Sequence, residues 1–470
     1  MDTFSFFKFR FIASEKQVTI IVFVICISVK AIPELAAYPH PIGYDVVNYY
    51  IPKVVNFQEQ WDTISRQFPF YLTFLYSLSA SVGLSPQAVV TSVAVAMAGI
   101  FGVSLFYIGR TLLSLQIIQS LFLATFTVLQ MVVLRTFWDL HKDVMALAAM
   151  LFVFCLLGRK DTGWKVLPIT LVLTAITVAA DRMIGALLCV SLAAFLIMTR
   201  RKDVAMVAIL AISLFSILIV SSYQLGYTNA NTVTGETSEI KIPEFYSREN
   251  LLVFFLIVNC LVAAPVTIGF LYMQNRLLKI PLLVSLAGSF SWLVFPENNL
   301  LAADRWIIIA GIFLSIFGGY GSLRLVNKLK FNLSAIVAFS IIGAFAAVGL
   351  TFALMPYDSP FILYGAVRNY ITYFAPVTMQ FNSLDVQDNN NLLSATAQIN
   401  ENTERNAIIV GEPQWRGFME LYLRDDRIYH FSNDPLALAA LLEQQGHHVY
   451  LISAEGNPQT TFRIKNIQNT

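Results

Sequence analysis

The chain has 470 residues, of which 57% are hydrophobic and 13% charged, and its mean hydropathy is +0.65. A soluble domain carries about 25% charged residues, so this composition excludes a water-soluble fold, a disordered chain, a coiled coil and a nucleic-acid-binding surface. The net charge of +2 hides an asymmetry, because residues 356–470 hold 7 Lys or Arg and 12 Asp or Glu, whereas the remainder holds 24 and 17. We expect the two parts to face different surroundings.

Long apolar runs separated by short charged loops predict a polytopic α-helical membrane protein with about 11 transmembrane helices within residues 1–355. The predicted spans lie near 17–33, 86–108, 111–134, 143–158, 166–181, 183–199, 204–222, 251–273, 280–295, 306–323 and 331–354.

The distribution of Lys and Arg predicts the orientation of this bundle in the cell membrane. The ends on one side hold 15 Lys or Arg and 4 Asp or Glu, whereas the other side of residues 1–355 holds 9 and 13. Because cytoplasmic loops carry the excess of cations, we expect a cytoplasmic N-terminus and an extracytoplasmic C-terminal domain.

The first outer loop, residues 34–85, is the longest connection in the bundle. Within it, residues 68–82 are apolar but short, begin with Phe-Pro and alternate Ser or Thr with aromatic residues. A span here would invert the charge bias of every later loop. We therefore predict a helix that lies in the outer membrane interface.

Residues 356–470 predict a small extracytoplasmic α/β domain that follows a polar linker at about 383–405. Short apolar segments predict strands at 407–412, 427–431, 448–453 and 460–467, with helices near 415–425 and 434–445. The alternation of strands and helices favours a partly parallel sheet.

The first candidate catalytic residue is Asp45, which follows the first span in an aromatic, Pro-rich segment. A carboxylate near the membrane, yet reachable from water, suits a general base that takes a proton from a hydroxyl. The alternative is that Asp45 only caps a helix over 46–57. Lys53 of the same segment is a candidate ligand for phosphate or sugar.

A second cluster, RTFWDLHKD, forms the predicted outer turn between the third and fourth spans. Arg135, His141 and Lys142 are candidate phosphate ligands. Asp139 either pairs with one of them or acts catalytically beside Asp45. Asp143 is a candidate substrate ligand, although it also suits the N-cap of the fourth span.

Two further outer turns carry candidate substrate ligands. Glu297, Asp304 and Arg305 lie between the ninth and tenth predicted spans, where Arg305 is close to the depth of a lipid phosphate. Asp304 has the alternative roles of ion-pair partner and helix cap. Arg182 follows Asp181 in a very tight turn. All four clusters are predicted on the outer side.

The spans carry no charge near their centres, which argues against ion-coupled transport, because Lys30 is close enough to the outer end to extend its ammonium to the surface. No phosphate-binding Gly-rich loop and no metal-binding helix motif is present. We assign no metal ligands and no certain cofactor, although Asp45 and Asp139 are able to share a divalent cation.

These features together resemble the GT-C fold of integral-membrane glycosyltransferases. The resemblance rests on an Asp just after the first span (Gly43-Tyr44-Asp45), the interfacial helix 68–82, the acidic turn from Asp139 to Asp143, and Asp304-Arg305-Trp306 at the start of a late helix. It covers roughly residues 17–354, and external C-terminal domains also occur in such proteins.

The resemblance implies a hexosyl- or pentosyltransferase that uses a polyprenyl-phosphate-linked sugar donor and inverts the anomeric carbon. Asp45 would deprotonate the hydroxyl of a glycan, lipid or protein acceptor on the extracytoplasmic face, and outer Arg and Lys residues would hold the phosphate. The alternatives are a transporter or flippase of lipids or lipid-linked glycans, and a binding subunit with a degenerate site.

Overall fold

The computed structural model describes a bundle of apolar helices and a C-terminal α/β domain. The described residues are 14–43, 45–65, 68–159, 165–224, 248–259, 262–294, 303–329, 331–354, 386–412, 415–424, 426–432, 434–455 and 461–466. Their side chains are described except at some positions near helix and strand ends, among them Asp304.

The bundle begins with a long helix, continues through the short helices of the first outer loop, and then consists of apolar helices to its end. Its helices are α1 (Glu15–Ala36), a π-helix (Val46–Tyr50), α2 (Ile51–Val55), α3 (Trp61–Ser65), α4 (Phe70–Val82), α5 (Pro86–Tyr107), a second π-helix (Ile108–Leu112), α6 (Ile117–Val128), α7 (Met131–Asp139), α8 (His141–Gly158), α9 (Leu167–Ala180), α10 (Arg182–Thr199), α11 (Lys202–Gln224), α12 (Arg248–Asn259), α13 (Ala263–Tyr272), α14 (Arg276–Ser289), a 3-10 helix (Ser291–Leu293), α15 (Ala303–Val326) and α16 (Phe331–Leu354).

The prediction of a polytopic helical bundle is confirmed, but the described residues contain fewer long spans than the 11 predicted. Seven helices (α1, α5, α8, α10, α11, α15 and α16) are long and apolar enough to cross a membrane, and α6 with α7 makes an eighth candidate. Shorter helices occupy the predicted spans 166–181, 251–273 and 280–295. One reason is visible at Asp181, which caps α10 and ends α9 at Ala180.

The predicted continuous span 111–134 is wrong, because α6 and α7 meet at a bend of 66°. Gln130 at the break is extended, and its side-chain amide donates to the Phe126 carbonyl at 2.8 Å, which satisfies one acceptor that the broken helix leaves open. Arg135 and Asp139 were expected in an exposed turn. They lie instead on α7, whose residues from Val132 onward are buried.

The C-terminal end of α1 extends further than predicted. The helix continues through Pro33 to Ala36, which brings Glu34 one turn above Lys30 on the same helix face. The two form a buried ion pair, with the Lys30 side chain 1% exposed. The expectation that Lys30 reaches the membrane surface is therefore wrong, because its ammonium finds a carboxylate inside the protein.

The short helix α4 occupies the segment predicted to lie in the interface. Its 13 residues are fewer than the roughly 20 that cross a bilayer. It ends at Gly83 and is followed by α5. Its depth in the membrane stays a prediction.

The C-terminal domain contains a four-stranded sheet with helices on both faces. Its elements are α17 (Val386–Asn402), β1 (Ile408–Gly411), α18 (Arg416–Tyr422), β2 (Ile428–Phe431), α19 (Pro435–Gln444), β3 (Val449–Glu455) and β4 (Thr461–Asn466). The strand order is β2-β1-β3-β4, with β1 parallel to β2 and β3 and with β4 antiparallel to β3. The predicted partly parallel sheet is confirmed.

The predicted linker at 383–405 is wrong where the structure describes it, because residues 386–402 form α17. Leu392, Ala395 and Ile399 recur at helical spacing and are buried against Ile409 and Trp415. The polar Asn and Gln residues that suggested a linker cover the opposite face of this helix.

We expect Lys30→Met to lower the free energy of unfolding by about 3–5 kcal/mol, because it leaves the Glu34 carboxylate buried without its partner. The double variant Lys30→Met/Glu34→Leu should recover most of this loss. Unfolding of the purified protein in mixed micelles measures both. Equal losses in the single and double variants would contradict a buried, paired carboxylate.

Candidate active site

The first outer loop reaches the bundle at Gly43, which lies against the end of α7. Its φ of +111° is a conformation that favours glycine. A Cβ atom at this position would be 2.5 Å from the Trp138 carbonyl oxygen and 2.7 Å from Oδ1 of Asp139. The segment that carries Asp45 and the buried end of α7 are therefore in direct contact.

Asp45 precedes the π-helix Val46–Tyr50, and its side chain makes no capping hydrogen bond to that helix. The alternative that Asp45 serves only as a cap is not supported by this geometry. Single-turn π-helices occur frequently at functional sites. Asp45 is half-buried, so its carboxylate combines partial access to solvent with a fixed backbone.

Tyr50 ends the π-helix and faces the bundle. Its ring stacks on His141, with ring centroids 5.2 Å apart and planes 5° from parallel. Burial and the negative charges of Asp45 and Asp143 raise the pKa of Tyr50 well above its usual value. The phenol therefore stays protonated at neutral pH.

A second group of charged side chains, contributed by three separate parts of the bundle, lies near Tyr50. Lys142 on α8 lies 3.7 Å from Asp181, which caps α10 through the backbone N–H groups of Met183 and Ile184. Asp143, also on α8, interacts electrostatically with Asp181. Arg305, near the start of α15, interacts electrostatically with Lys142 and both carboxyl groups.

The ion pair between Arg135 and Asp139 lies next to Gly43. Arg135 Nη1 lies 2.7 Å from Asp139 Oδ2, and both side chains are almost fully buried. This is the pairing that the sequence left open as one role for Asp139. A paired and buried carboxylate suits positioning the loop better than exchanging protons with a substrate.

Lys53 lies on α2, at the border between the bundle and the C-terminal domain. Its ammonium lies 4.3 Å from the centroid of the Tyr49 ring. Burial, together with the positive charges of Arg416 and Lys142, lowers the pKa of Lys53 to about 8. Lys53, Arg416 and Lys142 repel one another electrostatically. An anion bound near them would reduce this repulsion, so the arrangement favours an anion.

The structure brings most of the predicted site residues to one end of the bundle. Residues from the first loop, α7, α8, the α9–α10 turn and α15 meet there: Asp45, Lys53, Asp139, Arg135, His141, Lys142, Asp143 and Arg305. Arg182 is exposed beside this group. Glu297 and the side chain of Asp304 lie outside the described residues.

Sequence reasoning missed Tyr50, the Lys30–Glu34 pair and the role of Asp181. Lys30 acts electrostatically on His141, so this pair also belongs to the surroundings of the site. The available signal was the spacing of four between Lys30 and Glu34, which places both on one helix face. The pair was missed because the predicted first span ends at Pro33 and so leaves out Glu34.

Among the described residues, no three His, Cys, Asp or Glu side chains converge as a metal-binding group would require. Asp139 is paired with Arg135, Asp181 with Lys142, and Asp143 interacts with Asp181.

Comparison with known proteins identifies the fold. No protein-family model and no curated protein sequence matches the chain. Among solved structures, the archaeal oligosaccharyltransferase AglB from Archaeoglobus fulgidus, in complex with an inhibitory peptide and a dolichol-phosphate, matches with a TM-score of 0.52 and 11% identity over 94% of this chain and 69% of that chain.

ArnT from Cupriavidus metallidurans in the apo state matches with a TM-score of 0.50 and 14% identity, over 93% of each chain. Both neighbours are GT-C fold membrane glycosyltransferases. The two matches extend over nearly the whole chain. They therefore show, beyond the sequence resemblance, that this protein has the GT-C fold of integral-membrane glycosyltransferases.

Proposed function

We propose that the protein is an inverting glycosyltransferase, which moves a hexose or pentose from a polyprenyl-phosphate-linked donor to an acceptor hydroxyl on the extracytoplasmic face. The observation that carries this proposal is a series of interactions at one end of an apolar bundle: Tyr50 interacts with the half-buried Asp45 and with Asp143, and Asp143 interacts with the cations Lys142 and Arg305. The complex of AglB with a dolichol-phosphate supports a lipid phosphate as the anion.

The reaction is a displacement at the anomeric carbon. Asp45 takes the proton of the acceptor hydroxyl while its oxygen bonds to the anomeric carbon from the face opposite the phosphate. The bond between that carbon and the phosphate oxygen breaks, and its electron pair leaves with the polyprenyl phosphate. Lys142 and Arg305 stabilise the negative charge that develops on the leaving phosphate.

The remaining predicted residues have supporting roles in this proposal. His141, stacked on Tyr50, and Asp143 form the wall between base and phosphate. Arg135 and Asp139 support the first loop where Gly43 contacts α7. Lys53 and Arg182 extend the cationic surface outward, and Glu297 and Asp304 stay predicted ligands. The polyprenyl tail lies among apolar helices, and the acceptor is a glycan, lipid or protein.

We expect Asp45→Asn to reduce kcat for sugar transfer by about 10²–10⁴-fold, because the amide cannot accept the hydroxyl proton. Asp62→Asn is the matched control, since Asp62 lies in the same loop but is exposed on α3. Transfer from a polyprenyl-phosphate sugar to an acceptor by purified protein in liposomes measures both.

If Asp45→Asn transferred sugar at the wild-type rate, Asp45 would have no part in the mechanism. If neither the wild type nor the variant transferred sugar, and both moved the lipid across the vesicle membrane, the transporter alternative would be favoured.

Lys142→Ala and Arg305→Ala should each raise the donor KM by about tenfold or more, because each removes one charge-assisted contact to phosphate. Lys165→Ala is the control, since this exposed lysine precedes α9 at the opposite end of that helix from Asp181. Steady-state kinetics with varied donor concentration separate KM from kcat. An unchanged donor KM in both variants would place the phosphate elsewhere.

The pKa of about 8 at Lys53 predicts how donor affinity depends on pH. Its folded-state pKa is lowered, so the cation is present below pH 8 and is lost as the pH rises through that value. We expect kcat/KM for the donor to fall above pH 8 with this ionisation. In Lys53→Arg the guanidinium stays charged, so this inflection should disappear; its persistence would assign it to another group.

A further inference from the structure

The C-terminal domain contacts the same π-helix that carries Asp45 at its start. The Gly417 N–H of α18 donates to the Asn48 side-chain oxygen at 2.6 Å. Gly417 is the second residue of α18, so its N–H has no acceptor within its own helix. Asn48 therefore caps a helix of the other domain.

The backbones of the two elements also meet at this point. A Cβ atom at Gly417 would lie 2.2 Å from the Val47 carbonyl oxygen and 2.7 Å from the Asn48 Cα. Both are backbone atoms, which cannot turn aside as a side chain can. Only glycine permits this approach between α18 and the π-helix.

Two more contacts tie the segment around Asp45 to the C-terminal domain. The side chain of Val47 is buried in the domain core beside Trp415 and Phe418. His40, itself buried, shares a 2.9 Å hydrogen bond with Asn390 on α17. These contacts lie on both sides of Asp45 in the chain, so the domain holds the loop before and after the carboxylate.

The opposite face of the π-helix is fixed by the bundle. Tyr50 stacks on His141, and Gly43 lies against Trp138 and Asp139. Val47 and Asn48 of the same helix contact the C-terminal domain instead. A general base must stay within hydrogen-bond reach of the hydroxyl, and a misplacement of about 1 Å costs about 10²-fold in rate.

We propose that the C-terminal domain is a positioning element of the active site, with Asn48 and Gly417 as positioning residues that hold the π-helix so that Asp45 faces the acceptor hydroxyl. This inference rests on the proposed function of Asp45. It assigns to the domain a part in the transfer step itself, beyond any role in acceptor recognition.

The test compares Asn48→Ala and Gly417→Ala with Gly343→Ala in the full-length protein. Alanine is favoured over glycine inside a helix, so a loss at Gly417 reports the contact with Val47. Gly343 is the matched control, because a Cβ there meets nothing within 4 Å. Asn48→Asp keeps the acceptor oxygen and is the conservative variant.

Hydrogen exchange of the backbone amides in residues 46–57 should rise by about tenfold in Asn48→Ala and Gly417→Ala, while α8 and α10 stay protected. In the same variants kcat should fall by about tenfold or more, with the donor KM changed by less than about twofold. Asn48→Asp should restore most of both, and Gly343→Ala should match the wild type.

Unchanged exchange at residues 46–57 in both variants would overturn the inference. So would unchanged kcat in a protein whose Asp45→Asn variant is inactive. A fully active Asp45→Asn variant would instead refute the proposed base, and the exchange measurement, which needs no substrate, would still decide whether the domain holds the loop.

Discussion

The close contact of Gly43 with the end of α7 is the constraint on which the site depends. With a φ of +111° and no Cβ, Gly43 lets the first loop turn directly over Trp138 and Asp139. The bend of 66° between α6 and α7 places the end of α7 under that loop. Both features are needed for the direct contact between the loop that carries Asp45 and the buried end of α7.

The charged residues at this end of the bundle form two kinds of arrangement. Lys30 with Glu34, and Arg135 with Asp139, are buried ion pairs within single helices. Their charges are compensated locally, which a low-dielectric interior requires. Lys142 and Asp143 on α8, Asp181 before α10, and Arg305 on α15 instead come from three parts of the bundle and interact with one another. The proposed phosphate site therefore depends on how these helices pack together.

The π-helix Val46–Tyr50 joins the two parts of the molecule through opposite faces. Tyr50 packs against the bundle, whereas Val47 and Asn48 pack against α18 of the C-terminal domain. The wider turn of a π-helix is costly and usually persists where function requires it. Asp45, at its start, therefore has its backbone set by two independent sets of contacts.

The sequence by itself determined the membrane class and the positions of the C-terminal strands, and it predicted Asp45 as a candidate, because hydropathy, strand alternation and position after a span are local properties. Tertiary structure decided the rest. The break at Gln130 lies in a predominantly apolar run, and the pairing of Lys30 depends on how far α1 continues past Pro33. Asn48 and Gly417 are 369 positions apart, so only the packing of the domain on the loop could bring them together.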